Sequence, residues 1–224
     1  MRTFVAACFG LFFFLVSSYG VAPGERDRII AEFTDRGGRV KQDDKHPEKP
    51  IVNVDLHRAT IGDKELALLE GLPQVHTLDL SYTKITDDGL KHIRGLKNLK
   101  TLALHGTAVT DKGLQNVEEL TSLETLFLAE TAITDKGLEH LRKLTKLQAL
   151  ELDHTRIGDA GLAKLPELKG LRRLELADTM VGDEGLRCLE GFTELRSVDL
   201  FHSRVTFAGV HRLQAALPET RITQ

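Results

Sequence analysis

The sequence has few of the residues that form disulfides and aromatic cores. Its 224 residues include no tryptophan, two tyrosines, two methionines and two cysteines. Aromatic residues make up 5% of the chain and hydrophobic residues 41%, so aliphatic side chains, chiefly leucine, must supply the core. The two cysteines, Cys8 and Cys188, are too few for a disulfide framework. Packing must therefore stabilise the fold.

The sequence also lacks the signatures of nucleic-acid binding and of catalysis. Its formal net charge is -3, and it has no lysine- or arginine-rich run and no aromatic stacking motif. The motifs HExxH, CxxC, GxSxG and the phosphate-binding loop are all missing. Ser81-Tyr82-Thr83-Lys84 matches the SxxK motif of penicillin-binding enzymes, but it falls at the end of a predicted strand and not at the start of a helix. We expect no enzyme activity, no cofactor, no metal and no nucleic acid.

The N-terminal segment, residues 1–22, is typical of a signal peptide. A positively charged start precedes an uncharged apolar run, Phe4 to Val16, which is too short to span a membrane comfortably. Cleavage could follow Gly20 or Ala22, since both place small residues where a signal peptidase reads them. An uncleaved anchor is one alternative, and lipidation at Cys8 is another. We expect a secreted or periplasmic protein with no stable membrane insertion after cleavage.

After this segment, the chain repeats itself every 24 residues without an insertion. The seven repeats begin at Asn53, Thr77, Thr101, Thr125, Ala149, Arg173 and Ser197. The third begins TLALHGTAVTDKGL and the fourth begins TLFLAETAITDKGL. Residues 51–224 thereby resemble the leucine-rich repeat, in the bacterial form with the consensus LxxLxLxxTxITDxGLxxLxxLxx. The resemblance implies an α/β fold, a right-handed solenoid with a parallel concave sheet and convex helices.

The first half of each repeat unit is typical of a short strand and a turn. In the third repeat Leu102 and Leu104 alternate with Ala103 and His105, the period of two expected when one face of a strand is buried. We therefore expect Ala103 and His105 to face outwards. Thr107 follows at the point where the chain leaves the strand, and we expect its buried hydroxyl to bond to nearby backbone.

The second half of each unit is typical of a short helix. Thr110-Asp111 supplies a capping oxygen and a negative charge, and apolar residues then follow at a spacing of three. The recurring aspartates are therefore interpreted as helix caps, and the glycines two residues later as room for close approach between repeats. The aspartates are Asp63, Asp87, Asp111, Asp135, Asp159 and Asp183.

Both ends of the repeat array have atypical sequences that are suited to capping. We expect residues 23–50 to form an N-terminal cap, with a helix over 25–36, a strand over 39–42 and an exposed loop over 43–50. At the other end we expect a terminal edge strand over 221–223, where an arginine discourages further pairing.

The outward-facing strand positions divide into two regions of different charge. Those of repeats one to three are mixed and nearly neutral, whereas those of repeats four to seven are acidic, with Arg173 as the opposing cation. Glu151, Glu175 and Asp199 occupy the same position in consecutive repeats, which places like charges side by side at a cost that folding does not require. The candidate partner-binding residues are Phe127, Glu130, Glu151, Asp153, Glu175, Asp178 and Asp199.

A second pattern alternates acids with imidazoles in repeats four to seven. Glu130, His154, Asp178 and His202 occupy one position in successive repeats. We interpret them as ion pairs, because a metal ion would need three of them to converge and a flat ladder rarely allows that. An ordinary solvated face is the alternative interpretation of the acidic surface as a whole.

The sequence favours a binding function over the other classes of function. The leading hypothesis is a monomeric, extracytoplasmic module that binds a protein, a basic one by charge, on its concave face. A structural or envelope component without a discrete partner site is the first alternative. A relative of the leucine-rich-repeat substrate receptors of ubiquitin ligases is the second, although no F-box segment precedes the repeats.

Overall fold

The structure is a computed structural model that describes residues 21–224. The predicted signal peptide, residues 1–22, therefore lies outside the described residues except for its last two. The strands are β1 Arg39–Gln42, β2 Ile51–Asp55, β3 Thr77–Asp79, β4 Thr101–Ala103, β5 Thr125–Phe127, β6 Ala149–Glu151, β7 Arg173–Glu175, β8 Ser197–Asp199 and β9 Arg221–Thr223. No helix within the described residues is both long and apolar enough to cross a membrane.

These strands form one sheet in which the spatial order follows the order of the chain. β1 pairs with β2 antiparallel, and each later strand pairs with the next in parallel. In β3, β4 and β5 the residues Leu78, Leu102 and Leu126 lie directly beside one another. Each repeat thus places its residues beside the equivalent residues of its neighbours, so every position of the repeat becomes a column across the sheet.

The N-terminal cap covers the first edge of the repeat array. The helix α1, Pro23–Asp35, buries Ile29 and Phe33 against the core. Arg26 donates a hydrogen bond from Nη1 to the carbonyl of Glu48 at 2.6 Å, which fastens the helix to the loop before β2. The predicted helix and the predicted strand over 39–42 are therefore both present, with the helix beginning two residues early.

The core is a continuous stack of aliphatic side chains between the sheet and the helical side. In the third and fourth repeats, Leu102, Leu104, Leu126 and Leu128 have no exposed surface. Burying one leucine side chain contributes roughly 1.5 to 3 kcal/mol, so the leucine columns supply most of the stabilising energy of residues 21–224, in which Cys188 is a free thiol. Phe192 is an aromatic member of this mainly leucine core.

The helical side contains shorter and tighter turns than the sequence pattern suggested. The α-helices after the cap are α2 Asp111–Leu114, α3 Asp159–Leu162, α4 Asp183–Leu189 and α5 Phe207–Ala216. The other repeats have 3-10 helices at Glu65–Gly71, Gly89–Ile93 and Gly137–Leu141. Apolar residues recur at a spacing of three in every repeat, which fits the three residues per turn of a 3-10 helix better than the roughly 3.6 of an α-helix and is consistent with short, tight turns throughout.

The threonine column closes the turn that follows each strand. Thr107 is buried, and its hydroxyl donates to the carbonyl of Leu104 at 2.7 Å. The same bond, from a hydroxyl to the carbonyl three residues earlier, is made by Thr83, Thr131, Thr155, Thr179 and Ser203. The prediction of a buried hydroxyl that bonds to the backbone is confirmed, and each bond lies within its own repeat.

The aspartate column is structural, as predicted, but its hydrogen-bond partners are not those of a helix cap. Asp111 accepts the backbone N–H of Thr134 at 2.7 Å and the Thr134 hydroxyl at 2.6 Å, so it binds the next repeat and not its own helix. The cap of α2 is Thr110, whose hydroxyl oxygen accepts the N–H of Lys112 at 3.3 Å. Asp183 accepts the same two bonds from Thr206, and they lower its pKa, the bond from the backbone N–H having the larger effect and the bond from the hydroxyl the smaller. The carboxylates therefore join consecutive repeats.

The glycine column exists because these carboxylates occupy the space beside it. A Cβ atom at Gly137 would lie 2.5 Å from Asp111 Oδ1, and at Gly161 it would lie 2.5 Å from Asp135 Oδ1. The first repeat departs from the column with Glu65, which accepts the N–H of Gly62 at 2.8 Å. No earlier repeat contributes an aspartate there, so a side chain fits.

The core columns predict a strong contrast between two substitutions in neighbouring parts of the fourth repeat. Leu126→Ala removes a fully buried side chain and should lower the free energy of unfolding by about 2 to 5 kcal/mol through the cavity it leaves. Lys136→Ala changes an exposed residue and should cost less than about 0.5 kcal/mol. Urea unfolding measures both, and equal losses would contradict the assignment of the columns.

The contact between the aspartate and glycine columns predicts that their substitutions are not additive. Asp111→Ala removes two hydrogen bonds and should cost about 1 to 3 kcal/mol. Gly137→Ala should cost a similar amount, because its new methyl group would collide with the Asp111 carboxylate. In the double variant the collision is absent, so the total cost should fall short of the sum by at least about 0.5 kcal/mol. If a double-mutant cycle shows that the two costs simply add, the proposed contact between the Asp111 carboxylate and residue 137 is disproved.

Candidate functional site

The open face of the sheet, which lies opposite the buried leucines, carries two parallel rows of side chains. The strand row is the third residue of each repeat, Asp55, Asp79, Ala103, Phe127, Glu151, Glu175 and Asp199, held in register by strand pairing. The turn row is the sixth residue, Arg58, Tyr82, Gly106, Glu130, His154, Asp178 and His202. Six of the seven candidate residues from the sequence belong to these rows. The seventh, Asp153, is the fifth residue of its repeat.

The turn row holds its side chains in a strained backbone conformation. Every member has a positive φ, for example 56° at Glu130 and 53° at His154. The N–H of Glu130 donates to the carbonyl of Asp153 at 3.0 Å, and that of His154 to Ala177 at 2.9 Å, so the ladder between repeats fixes this conformation. A left-handed conformation costs a residue other than glycine roughly 1 to 2 kcal/mol. The row therefore keeps side chains where glycine would relieve strain.

Gly106 is the glycine of this row, and it makes room for a contact between the second and fourth repeats. The ring of Tyr82 lies over Gly106, where a Cβ atom would come within 2.6 Å of it. The Tyr82 hydroxyl donates to Glu130 Oε1 at 2.9 Å, and this bond is the main cause of the raised pKa of Tyr82. The guanidinium of Arg58 lies 5.4 Å from the ring centre. Glu130 is therefore tied to the mixed-charge half of the face.

The predicted ion pairing is present in the turn row for His154, Asp178 and His202, whereas Glu130, the fourth residue of the pattern, bonds to Tyr82. Asp178 lies between two imidazoles, with Oδ2 at 3.6 Å from His154 Nε2 and Oδ1 at 3.3 Å from His202 Nδ1. These contacts become charge pairs when the histidines are protonated. Within residues 21–224, no group of three or more His, Cys, Asp or Glu side chains is arranged to hold a metal ion.

Phe127 is less accessible than a freely exposed aromatic residue. Its ring stacks on the imidazole of His105 with centroids 5.2 Å apart, and the guanidinium of Arg173 lies 5.8 Å from its centre. Burial lowers the pKa of His105, whose Nδ1 lies 3.5 Å from Glu151 Oε1. Ala103 also departs from the outward-facing expectation, since this small residue is almost fully buried.

The acidic members of the strand row are poorly compensated. Glu151, Glu175 and Asp199 stand side by side on β6, β7 and β8. Burial, and then repulsion from Asp153, raises the pKa of both Glu151 and Glu175. Arg173 offers partial relief, with its Nε 3.9 Å from Glu175 Oε1. The structure thus brings these acids together at an electrostatic cost.

Asp153 is the centre of this acidic group. Burial is the largest cause of its raised pKa, which the hydrogen bond from the backbone N–H of Ala177 to Oδ1, 2.6 Å long, partly offsets. Repulsion from Asp199 adds to the rise. Asp153 therefore interacts with two neighbours: it is repelled by Asp199 of the strand row, and it accepts a hydrogen bond from Ala177, the fifth residue of the next repeat.

Three residues outside the predicted set belong to the same surface. His105 and Arg173 cover the two sides of Phe127, and Phe201 presents a ring that is 48% exposed and stacks on His202 with centroids 3.9 Å apart. His105 and Phe201 share the fifth position of the repeat with the predicted Asp153, and Arg173 is the first residue of its strand. The contact from Tyr82 to Glu130 had a weaker signal, a lone glycine in a column of side chains.

The raised carboxyl pKa values predict an unusual dependence of stability on pH. Because Glu151, Asp153 and Glu175 hold protons more tightly when folded, their stabilising contribution is present below the ordinary carboxyl pKa of about 4 and is lost as pH rises through the raised values. A variant with Glu151→Gln, Asp153→Asn and Glu175→Gln should therefore melt at a higher temperature than the wild type at about pH 7, and the difference should shrink towards about pH 4. Calorimetry across this range tests it. If the wild type melts at the same temperature as the variant at neutral pH, these three carboxylates carry no electrostatic cost in the folded protein.

Comparisons with known proteins agree with this architecture. The family model described as Leucine Rich repeat matches residues 73–93 and 143–165. The solved structure of an internalin C2 (inlC2) from Listeria monocytogenes aligns with 92% of this chain and 84% of its own, with 20% identity and a TM-score of 0.64. An internalin (inlF) from the same organism aligns with 70% of this chain at 24% identity and a TM-score of 0.53, and the chain spans 50% of that structure. A comparison with curated proteins finds no match.

Identities at this level establish the fold and leave the ligand to be argued from the residues. The matched repeats, the strands paired in chain order and the similarity to two solved structures agree with the 24-residue pattern of the sequence. The chain therefore has the leucine-rich-repeat fold, an α/β solenoid that it shares with the two internalin structures.

Proposed function

We propose that the chain is a non-enzymatic protein-binding module that works outside the cytoplasm as a monomer. It binds its partner through the open face of repeats four to seven, on the predicted concave side of the solenoid. Stacked repeats create extended surfaces of this kind, which repeat proteins use for binding. The observation that carries the proposal is the half-buried acidic group of Glu151, Asp153 and Glu175, whose pKa values are all raised.

The acidic group favours a basic partner. A cation placed beside ionised carboxylates in partly desolvated surroundings stabilises the charged form that burial disfavours. Glu130, Asp178 and Asp199 extend the negative surface around this group. Long-range electrostatic attraction to this surface would speed the association of a basic partner, and repulsion would discriminate against acidic partners.

Aromatic side chains give the same surface an apolar component at both ends. Phe127 lies beside Glu151 in the strand register, and Phe201 follows Asp199 by two residues. Phe201 is the more exposed of the two, whereas Phe127 is held between His105 and Arg173. Aromatic residues surrounded by polar groups are typical anchors of protein interfaces. We assign Phe127 as the preorganised anchor and Phe201 as the accessible one.

The alternatives have less support in the residues. A structural component without a partner site would have no need of side chains at the strained positions of the turn row, yet Glu130, His154 and Asp178 are kept there. Kinship with ubiquitin-ligase receptors rests on the similarity of the repeat units alone. The extracytoplasmic location is supported by the predicted signal peptide, residues 1–22.

Charge neutralisation on the open face tests the proposed function. The variant Glu151→Gln, Asp153→Asn, Glu175→Gln and Asp178→Asn should bind a lysine- and arginine-rich peptide at least about tenfold more weakly than the wild type, since the attraction is removed. Binding to the wild type should also associate more slowly as salt rises. Phe127→Ala should chiefly raise the dissociation rate. Surface plasmon resonance measures all of these, with a glutamate-rich peptide as the control ligand.

A matched control separates local from global charge. Glutamines at four exposed glutamates away from the open face change the net charge by the same amount and should leave the affinity within about twofold. These glutamates are Glu25, Glu167, Glu190 and Glu219. If the wild type and the open-face variant bind equally, and changes at Asp55, Arg58 and Tyr82 abolish binding, the site lies at the opposite end of the face.

A further inference from the structure

We infer that the basic partner binds as an α-helix that lies across the strands of repeats four to seven, between the strand row and the turn row. The inference rests on the proposed function and specifies the conformation of the partner. It follows from the spacing of the carboxylates, the shape of the surface between the two rows and the distribution of charge along them.

The spacing of the strand row matches the pitch of a helix. Phe127, Glu151, Glu175 and Asp199 lie in register on four neighbouring strands, which are about 4.8 Å apart. Successive turns of an α-helix are about 5.4 Å apart, whereas side chains on one face of an extended strand are about 6.7 Å apart. Over the three steps of this row, the mismatch is about 2 Å for a helix and about 6 Å for a strand. Flexible lysine and arginine stems absorb the first mismatch and not the second.

The strip of surface between the two rows is called the trough below. Its floor is the fifth residue of each repeat, namely Ala129, Asp153, Ala177 and Phe201. Ala129 is buried and Ala177 is half-buried, so the floor is low in the fourth and sixth repeats. The two rows are three residues apart along the chain, at most about 10 Å, which is comparable with the diameter of a helix. Phe201 stands exposed at the far end of the floor.

Negative charge lies on both sides of this trough. The strand row contributes Glu151, Glu175 and Asp199, and the turn row contributes Glu130 and Asp178. A helix in the trough reaches both rows with basic residues at i, i+3, i+4 and i+7, which lie on one face. A partner strand running along the strands of the sheet would meet the acids of one repeat only. The row of acids across the strands would then stay uncompensated.

Three basic peptides distinguish these arrangements with the whole chain as receptor. The first has lysines and arginines at i, i+3, i+4 and i+7 in a background of good helix formers. The second has the same composition with the basic residues at alternate positions, and the third is the first with a central proline, which breaks the helix. Fluorescence anisotropy measures affinity, and circular dichroism measures helix formed on binding. The first peptide should bind at least about tenfold tighter than the other two and gain helical signal.

Receptor variants assign the binding to the trough. Glu151→Gln, Glu175→Gln and Asp199→Asn together should weaken the first peptide at least about tenfold, whereas glutamines at Glu25, Glu167 and Glu190 should not. Equal or tighter binding of the alternating peptide, or no gain of helix, would overturn the helical partner while leaving a basic partner in place. Failure of all three basic peptides to bind would overturn the proposed function and the inference together. Binding that is insensitive to the three acids would exclude this trough.

Discussion

The rest of the structure depends on the hydrogen bonds that the turn of each repeat donates to the aspartate carboxylate of the repeat before it. Asp111 holds both the backbone and the hydroxyl of Thr134, and it occupies the space that a side chain at residue 137 would need. Aspartate, threonine and glycine therefore recur together because the aspartate of one repeat contacts both the threonine and the glycine of the next. In the fifth and sixth repeats a glycine, Gly158 or Gly182, replaces the threonine, and the backbone bond to the carboxylate remains.

A fixed period has consequences for the open face as well as for the core. It aligns equivalent residues in columns, which is favourable for leucines that pack and unfavourable for carboxylates that repel one another. The core columns must therefore be filled by apolar side chains, whereas most positions of the strand and turn rows have no packing role that requires a carboxylate. Acidic residues in those positions are a feature of this sequence and not a requirement of its fold. The acids from Glu151 to Asp199 are for that reason the best evidence of function on the molecule.

The sequence allowed the periodic features of the structure to be predicted, and the contacts between repeats less completely. The leucine columns, the strands and the cap helix followed from periodicity, because burial on one side of a strand needs only alternation. The partner of Asp111 did not, since a residue at a helix start can serve its own helix or the next repeat equally well. The contact from Tyr82 to Glu130 skips a repeat, and its one trace in the sequence is Gly106, a glycine in a column of side chains. Ala103 is buried despite its outward position, because a short side chain lies below its longer neighbours.

The costs carried by the open face fall mainly on side chains that do not join consecutive repeats, with Asp153, which accepts the N–H of Ala177, as the exception. Desolvation and repulsion act on Glu151, Asp153 and Glu175, and backbone strain acts on the turn row, yet neither group touches the aspartate and glycine columns. Neutral substitutions on the face should consequently relieve local costs without loosening the stack. The same neutral variants should then be more stable and bind the partner more weakly. An ordinary solvated face has no partner, so it predicts no loss of binding. This opposition is the pattern that a surface shaped for a ligand produces when it compromises stability for recognition.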